Sequence, residues 1–206
     1  MYARSTTIHG EKSAVEAGIA YVRDDVQPAL EAMSGCVGVS MLADRASGHC
    51  IITSAWADDT SMHATEQEVV DLRRRAAEVL SGDWHTQTWE IAVLHRAHAG
   101  HDGATTRVLW GDLDPARVDD VMGTFRTALL PRMDELPGFC SLSILVDRGA
   151  GRLAVATTYD SREDLGRATD QAIALRDEFS AATGATITDT AGFDLVIHHL
   201  RVPETV

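Results

Sequence analysis

The sequence predicts an α+β fold in which two tandem βαββαβ units close on each other as a pseudo-twofold barrel. Three observations predict it. A set of residues recurs along the 206-residue chain at a constant spacing, and the strand and helix signals follow the same order twice. Each unit would also expose one apolar face of its sheet, which must be covered in a folded protein. A second copy on the same chain supplies that cover.

The internal repeat is the strongest of the three observations. Residues Arg4, Arg23, Pro28, Gly35, Ser40, Asp44, Arg45, Gly48 and Arg73 recur 103 positions later as Arg107, Arg126, Pro131, Gly138, Ser143, Asp147, Arg148, Gly151 and Arg176. Near the end of each copy the spacing becomes 104, which pairs Trp89 with Phe193 and His95 with His199. A repeat of this length indicates one folding unit per copy.

The second copy gives the clearer secondary-structure signals. Residues 105–112 contain Thr, Val, Leu and Trp, which favour a strand. Asp114 followed by Pro115 predicts the start of a helix, because Asp is a favoured N-cap and Pro fits the first turn. Residues 118–133 carry apolar side chains at helical spacing. Residues 139–146 and 153–159 predict a hairpin around a loop that contains glycine.

A second helix and a last strand complete that copy. Ser161 precedes two acidic residues, a pattern that favours a helix start, and Gly184 marks the helix end. Residues 186–200 predict the last strand.

The first copy follows the same order. It predicts strands at 3–9, 36–44, 49–56 and 86–95, with helices at 12–33 and 61–80. The segment 96–103 is polar and rich in glycine, and we interpret it as a linker. The sequence therefore divides into a first repeat, 1–95, the linker, and a second repeat, 104–206.

Composition and charge exclude several classes of function. The net charge of −13 argues against nucleic acid and acidic membranes as partners, because such binding needs Lys and Arg to neutralise phosphates. No apolar run approaches the length of a membrane span, and the N-terminus lacks the apolar stretch of a secretion signal. Three widely spaced cysteines, Cys36, Cys50 and Cys140, predict free thiols and a cytoplasmic location.

The βαββαβ order is that of the ferredoxin-like unit. The chain resembles a fused pair from the dimeric α/β barrel superfamily, and within it the antibiotic biosynthesis monooxygenase-type domains. The motifs that carry the resemblance are Leu-Pro-Gly-Phe at 136–139 and strands that end in an aromatic before a polar helix start, at Trp56 and Tyr159. Ser34-Gly35-Cys36 departs from the Pro-Gly-Phe pattern, so the first repeat matches less well.

The resemblance implies a range of activities, because the family includes cofactor-independent oxygenases of aromatic polyketides and haem-degrading enzymes. The haem-degrading branch has a His and a Trp on the second helix. Those positions are Arg74 and Thr65 in the first repeat, and Asp177 and Ala168 in the second. Haem degradation of that kind is therefore disfavoured.

Aromatic residues are the first candidates for a substrate-binding site. Trp56 and Tyr159 end matching strands, where each either fills the space between sheet and helix or forms a wall against a flat ligand. Trp110 stands on the first strand of the second repeat, where the first repeat has Thr7. This asymmetry predicts that one repeat carries the larger cavity, bounded by Trp56 or Tyr159.

Histidines are the candidates for chemistry. His95 and His199 occupy matching places on the last strands, where each is either a structural residue or a general base. His95, His98 and His101, with Asp102, could meet around a metal only within an irregular linker, and we expect no metal site.

The sequence thus predicts a monooxygenase-like oxidoreductase that acts on a flat aromatic or polyketide-like molecule without a bound cofactor. The expected catalytic residues are His95 and His199, and the expected substrate-binding residues are Trp56, Trp110 and Tyr159. The alternative is a non-catalytic module that binds a small molecule or haem. The expected partner is a small hydrophobic ligand, on a monomer or a homodimer of the fused barrel.

Overall fold

A computed structural model describes residues 1–200, except for the side chain of Leu200. Its eight strands are antiparallel wherever their registers are given. They are β1 (Tyr2–His9), β2 (Cys36–Asp44), β3 (His49–Trp56), β4 (Asp83–Arg96), β5 (Thr105–Asp112), β6 (Phe139–Asp147), β7 (Arg152–Tyr159) and β8 (Thr186–Leu200). The hydrogen-bonded order β1-β3-β2-β8-β5-β7-β6-β4 closes on itself, which confirms the predicted α+β barrel of ferredoxin-like repeats.

Five helical segments complete the fold of the described residues. Helix α1 covers residues 12–31, α2 is Asp59–Ala64, α3 is Glu66–Leu80, α4 covers residues 115–133 and α5 is Arg162–Thr183. Together with the strands they give the βαββαβ order twice. Within residues 1–200, no helix has both the length and the apolarity that crossing a membrane requires.

The hairpins confirm the repeat. Asp44 ends β2 opposite His49, and Asp147 ends β6 opposite Arg152. Each carboxylate accepts a hydrogen bond from a backbone N–H of its own turn. Gly48 and Gly151 close the two turns with φ of 83° and 68°, a left-handed conformation that glycine adopts without strain. Asp44 and Asp147 are therefore equivalent, as the spacing of 103 residues predicts.

The first helix of each repeat contains a matching π-helical segment, Val22–Val26 in α1 and Phe125–Leu129 in α4. The sequence did not predict these segments, although their cause lies close by. Pro28 and Pro131 lack an N–H, and a proline ring collides with the carbonyl four residues earlier in a regular helix. The wider π turn relieves that collision, and the backbone N–H groups of Gln27 and Leu130 bond to carbonyls five residues back.

The second helix of the first repeat is divided, where the sequence predicted one helix over 61–80. Asp58 caps α2 by accepting a hydrogen bond from the Ser61 N–H. The carbonyl of Met62, near the end of α2, accepts hydrogen bonds from Arg4 at 2.6 Å and from the Thr65 hydroxyl at 2.9 Å. These side chains satisfy a carbonyl that a continuous helix would have bonded to a backbone N–H. In the second repeat α5 is unbroken.

The chain divides into two compact units whose boundaries fall inside β4 and β8. Unit 1 comprises residues 1–89 and the part of β8 from Asp194, and unit 2 comprises residues 90–193. The repeats at 1–95 and 104–206 remain a division of the sequence. The difference arises because β4 and β8 have 14 and 15 residues, long enough to pair with different strands along their length. The second half of β4 pairs with β6, and that of β8 pairs with β2.

Each unit has its own hydrophobic core between sheet and helices. In unit 1, Val22 of α1 and Leu80 of α3 are buried together with Met41 and Ile52 of the sheet. In unit 2, Phe125 of α4 and Phe179 of α5 pack edge to face at 5.7 Å over Leu142 and Ile144. The two cores differ in how completely they are filled, and that difference defines the candidate site.

Candidate functional site

A cavity of about 270 Å³ lies between the sheet and the helices of unit 2. Its walls are mostly apolar. The sheet contributes Leu109, Leu142, Ile144, Leu153 and Val155, α4 contributes Met122, Phe125, Leu129 and Met133, and α5 contributes Ala172, Leu175 and Phe179. A cavity of about 150 Å³ with apolar walls accommodates benzene. The unit 2 cavity is therefore large enough for a ligand of one or two rings.

The polar groups on the cavity wall carry a net positive charge. Arg107 of β5 and Arg176 of α5 both line it, with Thr157, Tyr159, Thr169 and Thr190. Among the described residues that line the cavity, none is acidic and none is a histidine. Two guanidinium groups facing an apolar cavity are unusual in a chain whose net charge is −13. The arrangement favours a ligand with an anionic group.

Unit 1 has a much smaller cavity, of about 30 Å³, at the matching place. It is lined by ten residues, namely Arg4, Thr6, Val26, Leu30, Ile52, Ser54, Val69, Leu72, Arg73 and Ala76. Each of them has its counterpart 103 residues later in the wall of the larger cavity. The two cavities are therefore the same site in two repeats. A separate depression of about 560 Å³ on unit 1 is lined by residues at the end of α1 and around α2, and has no sheet wall.

Ion pairs close the site in unit 1. Arg4, whose side chain is 2% exposed, lies 2.7 Å from a carboxylate oxygen of Glu66. Arg73 donates two hydrogen bonds to the same carboxylate, at 2.6 and 3.0 Å. The hydrogen bond from Arg73, together with the charge of Arg4, lowers the pKa of Glu66 below its usual value. One carboxylate thus neutralises both arginines.

The second repeat replaces that carboxylate with a hydroxyl. The counterpart of Glu66 is Thr169, which accepts a hydrogen bond from Arg107 at 3.1 Å. Arg176, the counterpart of Arg73, donates to Asp177 on the solvent side of α5. The wall also recedes at Ala172, because the counterpart of this residue is the larger Val69. The loss of one carboxylate and the smaller side chain leave a cationic cavity in unit 2.

The predicted aromatic residues fall in different environments. Tyr159 lines the unit 2 cavity, and burial raises the pKa of its phenol. Trp56 is fully buried in the core of unit 1, where its indole N–H donates to Ser54 at 3.0 Å and Arg4 lies 5.8 Å from its ring. Trp110 is half-buried and packs edge to face on Phe193 at 6.4 Å, outside the lining of the large cavity.

The predicted histidines lie apart from both cavities. His95 in unit 2 lies 2.7 Å from the Asp134 carboxylate and stacks on Phe139 at 6.1 Å. His199 in unit 1 lies 3.5 Å from Glu31. Glu31 and Asp134 are themselves 103 residues apart, so both repeats keep the same His–carboxylate pair at the end of the first helix. A feature shared by an open and a closed site favours a structural role, and the assignment of either His as a base stays a prediction.

The linker histidines meet partners that the sequence did not suggest. His98 and His101 both lie close to Asp160, and the thiol of Cys140 completes the cluster, whereas His95 faces Asp134. The sequence also gave no functional role to Arg107 and Arg176, which stood out only as markers of the repeat. The signal that could have identified them is the change from Glu66 to Thr169 between two retained arginines.

Comparison with known proteins gives close relatives in one organism. The chain is 43% identical over 206 residues to the uncharacterized protein Rv2557 of Mycobacterium tuberculosis H37Rv. The alignment covers 100% of this chain and 92% of that protein. It is 45% identical over 207 residues to Rv2558 of the same strain, with 100% and 88% covered. No family model matches the sequence.

Solved structures share the fold at low sequence identity. A candidate monooxygenase from Fusobacterium nucleatum matches with a TM-score of 0.67 and 11% identity, over 99% of this chain and 94% of that one. An anthrone oxidase-like protein matches with a TM-score of 0.64 and 10% identity, over 97% of this chain and 90% of that one. A heme-degrading enzyme from Listeria monocytogenes matches with a TM-score of 0.53 and 9% identity, over 94% of this chain and 99% of that one. At these identities the comparison shows the shared fold of monooxygenase-related proteins.

Proposed function

Because this chain belongs to the family of Rv2557 and Rv2558, which carries the fold of the monooxygenase-related barrels, we propose that it binds a small molecule in unit 2. The ligand is a flat apolar anion of one or two rings. The observation that carries the proposal is the pair of arginines, Arg107 and Arg176, on the wall of an otherwise apolar cavity. A buried anion is stabilised only where such charges compensate for its lost hydration.

The matched site in unit 1 supports this proposal. There the counterpart arginines, Arg4 and Arg73, are held by Glu66, and only about 30 Å³ remains open. In unit 2 Arg176 pairs with Asp177, whereas Arg107 donates to the neutral hydroxyl of Thr169. A site with a purely structural role would gain from a carboxylate beside Arg107, because an uncompensated charge next to an apolar wall is costly. Because Thr169 is neutral, the guanidinium charge of Arg107 is available to an anionic ligand.

The size and the chemistry of the cavity argue against haem. A tetrapyrrole exceeds a cavity of about 270 Å³ that holds one or two rings. The described wall also offers no histidine as an axial ligand. Among the alternatives that the sequence left open, a small aromatic acid or phenol therefore fits better than haem.

Binding within the cavity is tested by filling it. The probe is 2-naphthoate, a two-ring carboxylate, titrated into the full chain by isothermal calorimetry. Ala172→Leu places a larger side chain in the wall, and we expect it to weaken binding at least tenfold. The control is Ala64→Leu on the exposed surface of α2, which should leave the affinity unchanged. Equal affinities in wild type and Ala172→Leu would place the ligand elsewhere and refute the proposal.

Cofactor-independent oxygenation of the bound molecule is the second candidate function. The guanidinium of Arg107 can stabilise the anion of a phenol or of an acidic methylene, which is the form that reacts with oxygen. In the overall reaction an acidic methylene beside an aromatic ring becomes a carbonyl, and O₂ supplies one atom to it and one to water. The proton first leaves the substrate, and the electrons that reduce oxygen come from the substrate carbon.

Oxygen uptake with 2-indanone, a two-ring compound with an acidic methylene beside its aromatic ring, separates this reaction from simple binding. Turnover should fall in Arg107→Gln, and a base at His95 would make His95→Ala lower kcat more than it raises KM. His199→Ala in unit 1 is the matched control. Turnover that is equal in wild type and Arg107→Gln would remove the oxygenase candidate and leave the binding proposal standing.

The location and the assembly that we propose are those that the sequence predicts. The described cysteines, Cys36, Cys50 and Cys140, are all free thiols. Free thiols are usual in the reducing cytoplasm, and we propose that location for the chain. We further propose a monomer or a homodimer of the fused barrel as its assembly.

A further inference from the structure

Three potential metal ligands converge at one end of unit 2, and a fourth, His101, contacts one of them. A nitrogen of His98, the sulfur of Cys140 and a carboxylate oxygen of Asp160 all lie within 4.8 Å of one another. The Nε2 atom of His98 is 3.3 Å from Asp160 Oδ1, and Nε2 of His101 is 3.2 Å from the same oxygen. The four residues come from the segment between β4 and β5, from β6, and from the residue after β7.

Backbone hydrogen bonds hold these segments together independently of any metal. The Ala97 N–H donates to the carbonyl of Cys140 at 2.9 Å, which fastens the start of the linker to β6. The Asp160 N–H donates to the Gly138 carbonyl at 2.8 Å, and Gly138 takes a left-handed φ of 63°. The thiol of Cys140 itself faces the linker, where it donates to the His98 carbonyl at 3.5 Å. The positions of the donor residues are thus fixed before a ligand binds.

The donor set matches zinc. Thiolate, imidazole and carboxylate are the three groups that bind Zn²⁺, at about 2.0–2.3 Å, so tetrahedral ligand atoms lie about 3.3–3.8 Å apart. The ligand atoms of His98, Cys140 and Asp160 are at most 4.8 Å apart, so they need to approach one another by no more than about 1 Å to reach this spacing. The side chains of His98 and His101 are 45% and 50% exposed, so both can rotate toward the thiol without disturbing a core.

We propose that His98, His101, Cys140 and Asp160 bind one zinc ion that fastens the linker to the β6–β7 end of unit 2. Four protein ligands fill a tetrahedral shell, which is the arrangement of a structural zinc site. On binding, the thiol of Cys140 loses its proton to solvent as the sulfur–zinc bond forms.

The cluster belongs to one repeat only. The counterparts of Cys140 and Asp160 in the first repeat are Val37 and Ala57, and the linker that carries both histidines occurs once in the chain. The repeats therefore differ in the residues that would bind a metal, as they do in their cavities. Hydrogen bonds alone are the rival explanation, in which the two histidines contact Asp160 and the Cys140 thiol donates to the His98 carbonyl without losing its proton.

Cobalt titration of the metal-free full chain distinguishes the two explanations. Co²⁺ occupies tetrahedral zinc sites and gives a near-ultraviolet charge-transfer band only when a thiolate coordinates it. We expect one Co²⁺ per chain with this band, and its loss when Zn²⁺ is added. Cys140→Ser should abolish the band and weaken binding at least tenfold. Cys36→Ser, at a half-buried thiol of unit 1, should retain both.

Two further variants keep the test decisive if Cys140→Ser fails to fold. His98→Gln and His101→Gln alter exposed side chains and should each weaken Co²⁺ binding at least tenfold, whereas His63→Gln, at an exposed His–Asp pair on α2, should not. Zinc should also raise the Tm of the wild-type chain but not of His98→Gln. Absence of the thiolate band in the wild type, or equal cobalt affinities in wild type and both linker variants, would overturn the proposal.

Discussion

Glu66 and Thr169 occupy the same position of the two repeats, and each contacts the arginine on the first strand of its own repeat. Glu66 forms an ion pair with that arginine, whereas Thr169 accepts a hydrogen bond. Arg4 lies 2.7 Å from the Glu66 carboxylate, and Arg107 lies 3.1 Å from the Thr169 hydroxyl. In a symmetric homodimer one sequence change alters both sites, whereas a fused pair allows each repeat to diverge. The site in unit 1 is packed and internally neutralised, and unit 2 has a cationic cavity.

Restoring the carboxylate should close the site in unit 2. In Thr169→Glu the new side chain can pair with Arg107 and Arg176 as Glu66 does with their counterparts. We expect 2-naphthoate binding to fall more than tenfold, because the carboxylate both fills space and neutralises the guanidinium groups. Thr169→Gln has nearly the same size without the charge, and should weaken binding less. Calorimetric titration of both variants measures the difference, and equal losses would show that charge plays no part.

The stability of the chain should fall in acid partly through Glu66. Its pKa is lowered in the folded state by the hydrogen bond from Arg73 and by the charge of Arg4. The stabilisation is therefore fully present above the ordinary glutamate pKa, and it is lost as the pH falls through the lowered value. Glu66→Gln should cost about 1–3 kcal/mol near neutral pH, between the values for exposed and buried pairs. Urea unfolding at several pH values should show that this cost shrinks in acid; a constant difference would contradict the assignment.

Trp56 should be a stability residue. It is fully buried and its indole N–H is bonded to Ser54. Replacing a buried aromatic by alanine typically costs about 3–5 kcal/mol, and we expect Trp56→Ala to fall in that range. Trp84, which is 38% exposed, is the matched control, and Trp84→Ala should change the free energy of unfolding by less than about 0.5 kcal/mol. Similar losses in the two variants, measured by urea unfolding, would argue against this role for Trp56.

The thiols should differ in reactivity between the native and the unfolded chain. Burial raises the pKa of the Cys50 thiol to about 11, so it is protonated near neutral pH as well as inaccessible. Alkylation of the native chain should spare Cys50, and alkylation after denaturation without reductant should modify all three cysteines. Mass spectrometry of the peptides reads out both results. Finding only one modified thiol after denaturation would reveal a disulfide.

The fold was predictable because its signals are local and occur twice. Caps, turns and apolar spacing indicate the elements, and the offset of 103 residues relates Asp44 to Asp147 without any knowledge of long-range contacts. The division of the second helix at Thr65 was not predictable, because it involves Arg4 of strand β1, which donates a hydrogen bond to the Met62 carbonyl. The unit boundaries inside β4 and β8 likewise depend on which strands pair.

The candidate site was predictable only in part. Tyr159 could be selected as a strand-end aromatic, and it lines the cavity. Arg107 was visible as a repeated residue, but its charge is available only because Thr169, on a different element, cannot neutralise it. Cys140 and Asp160 meet the linker histidines across long stretches of sequence, and no spacing pattern relates them.

Charge selectivity at the unit 2 cavity tests the central claim most directly. Isothermal calorimetry compares 2-naphthoate with 2-naphthamide, which has the same rings and shape but no charge. A charge-assisted hydrogen bond contributes about 1.5–3 kcal/mol, so we predict that the carboxylate binds the wild-type chain at least about tenfold more tightly. The preference should vanish in Arg107→Gln and persist in Arg132→Gln, a surface arginine of the same unit. Equal affinity of the wild type for both compounds, or an unchanged preference in Arg107→Gln, would contradict the account.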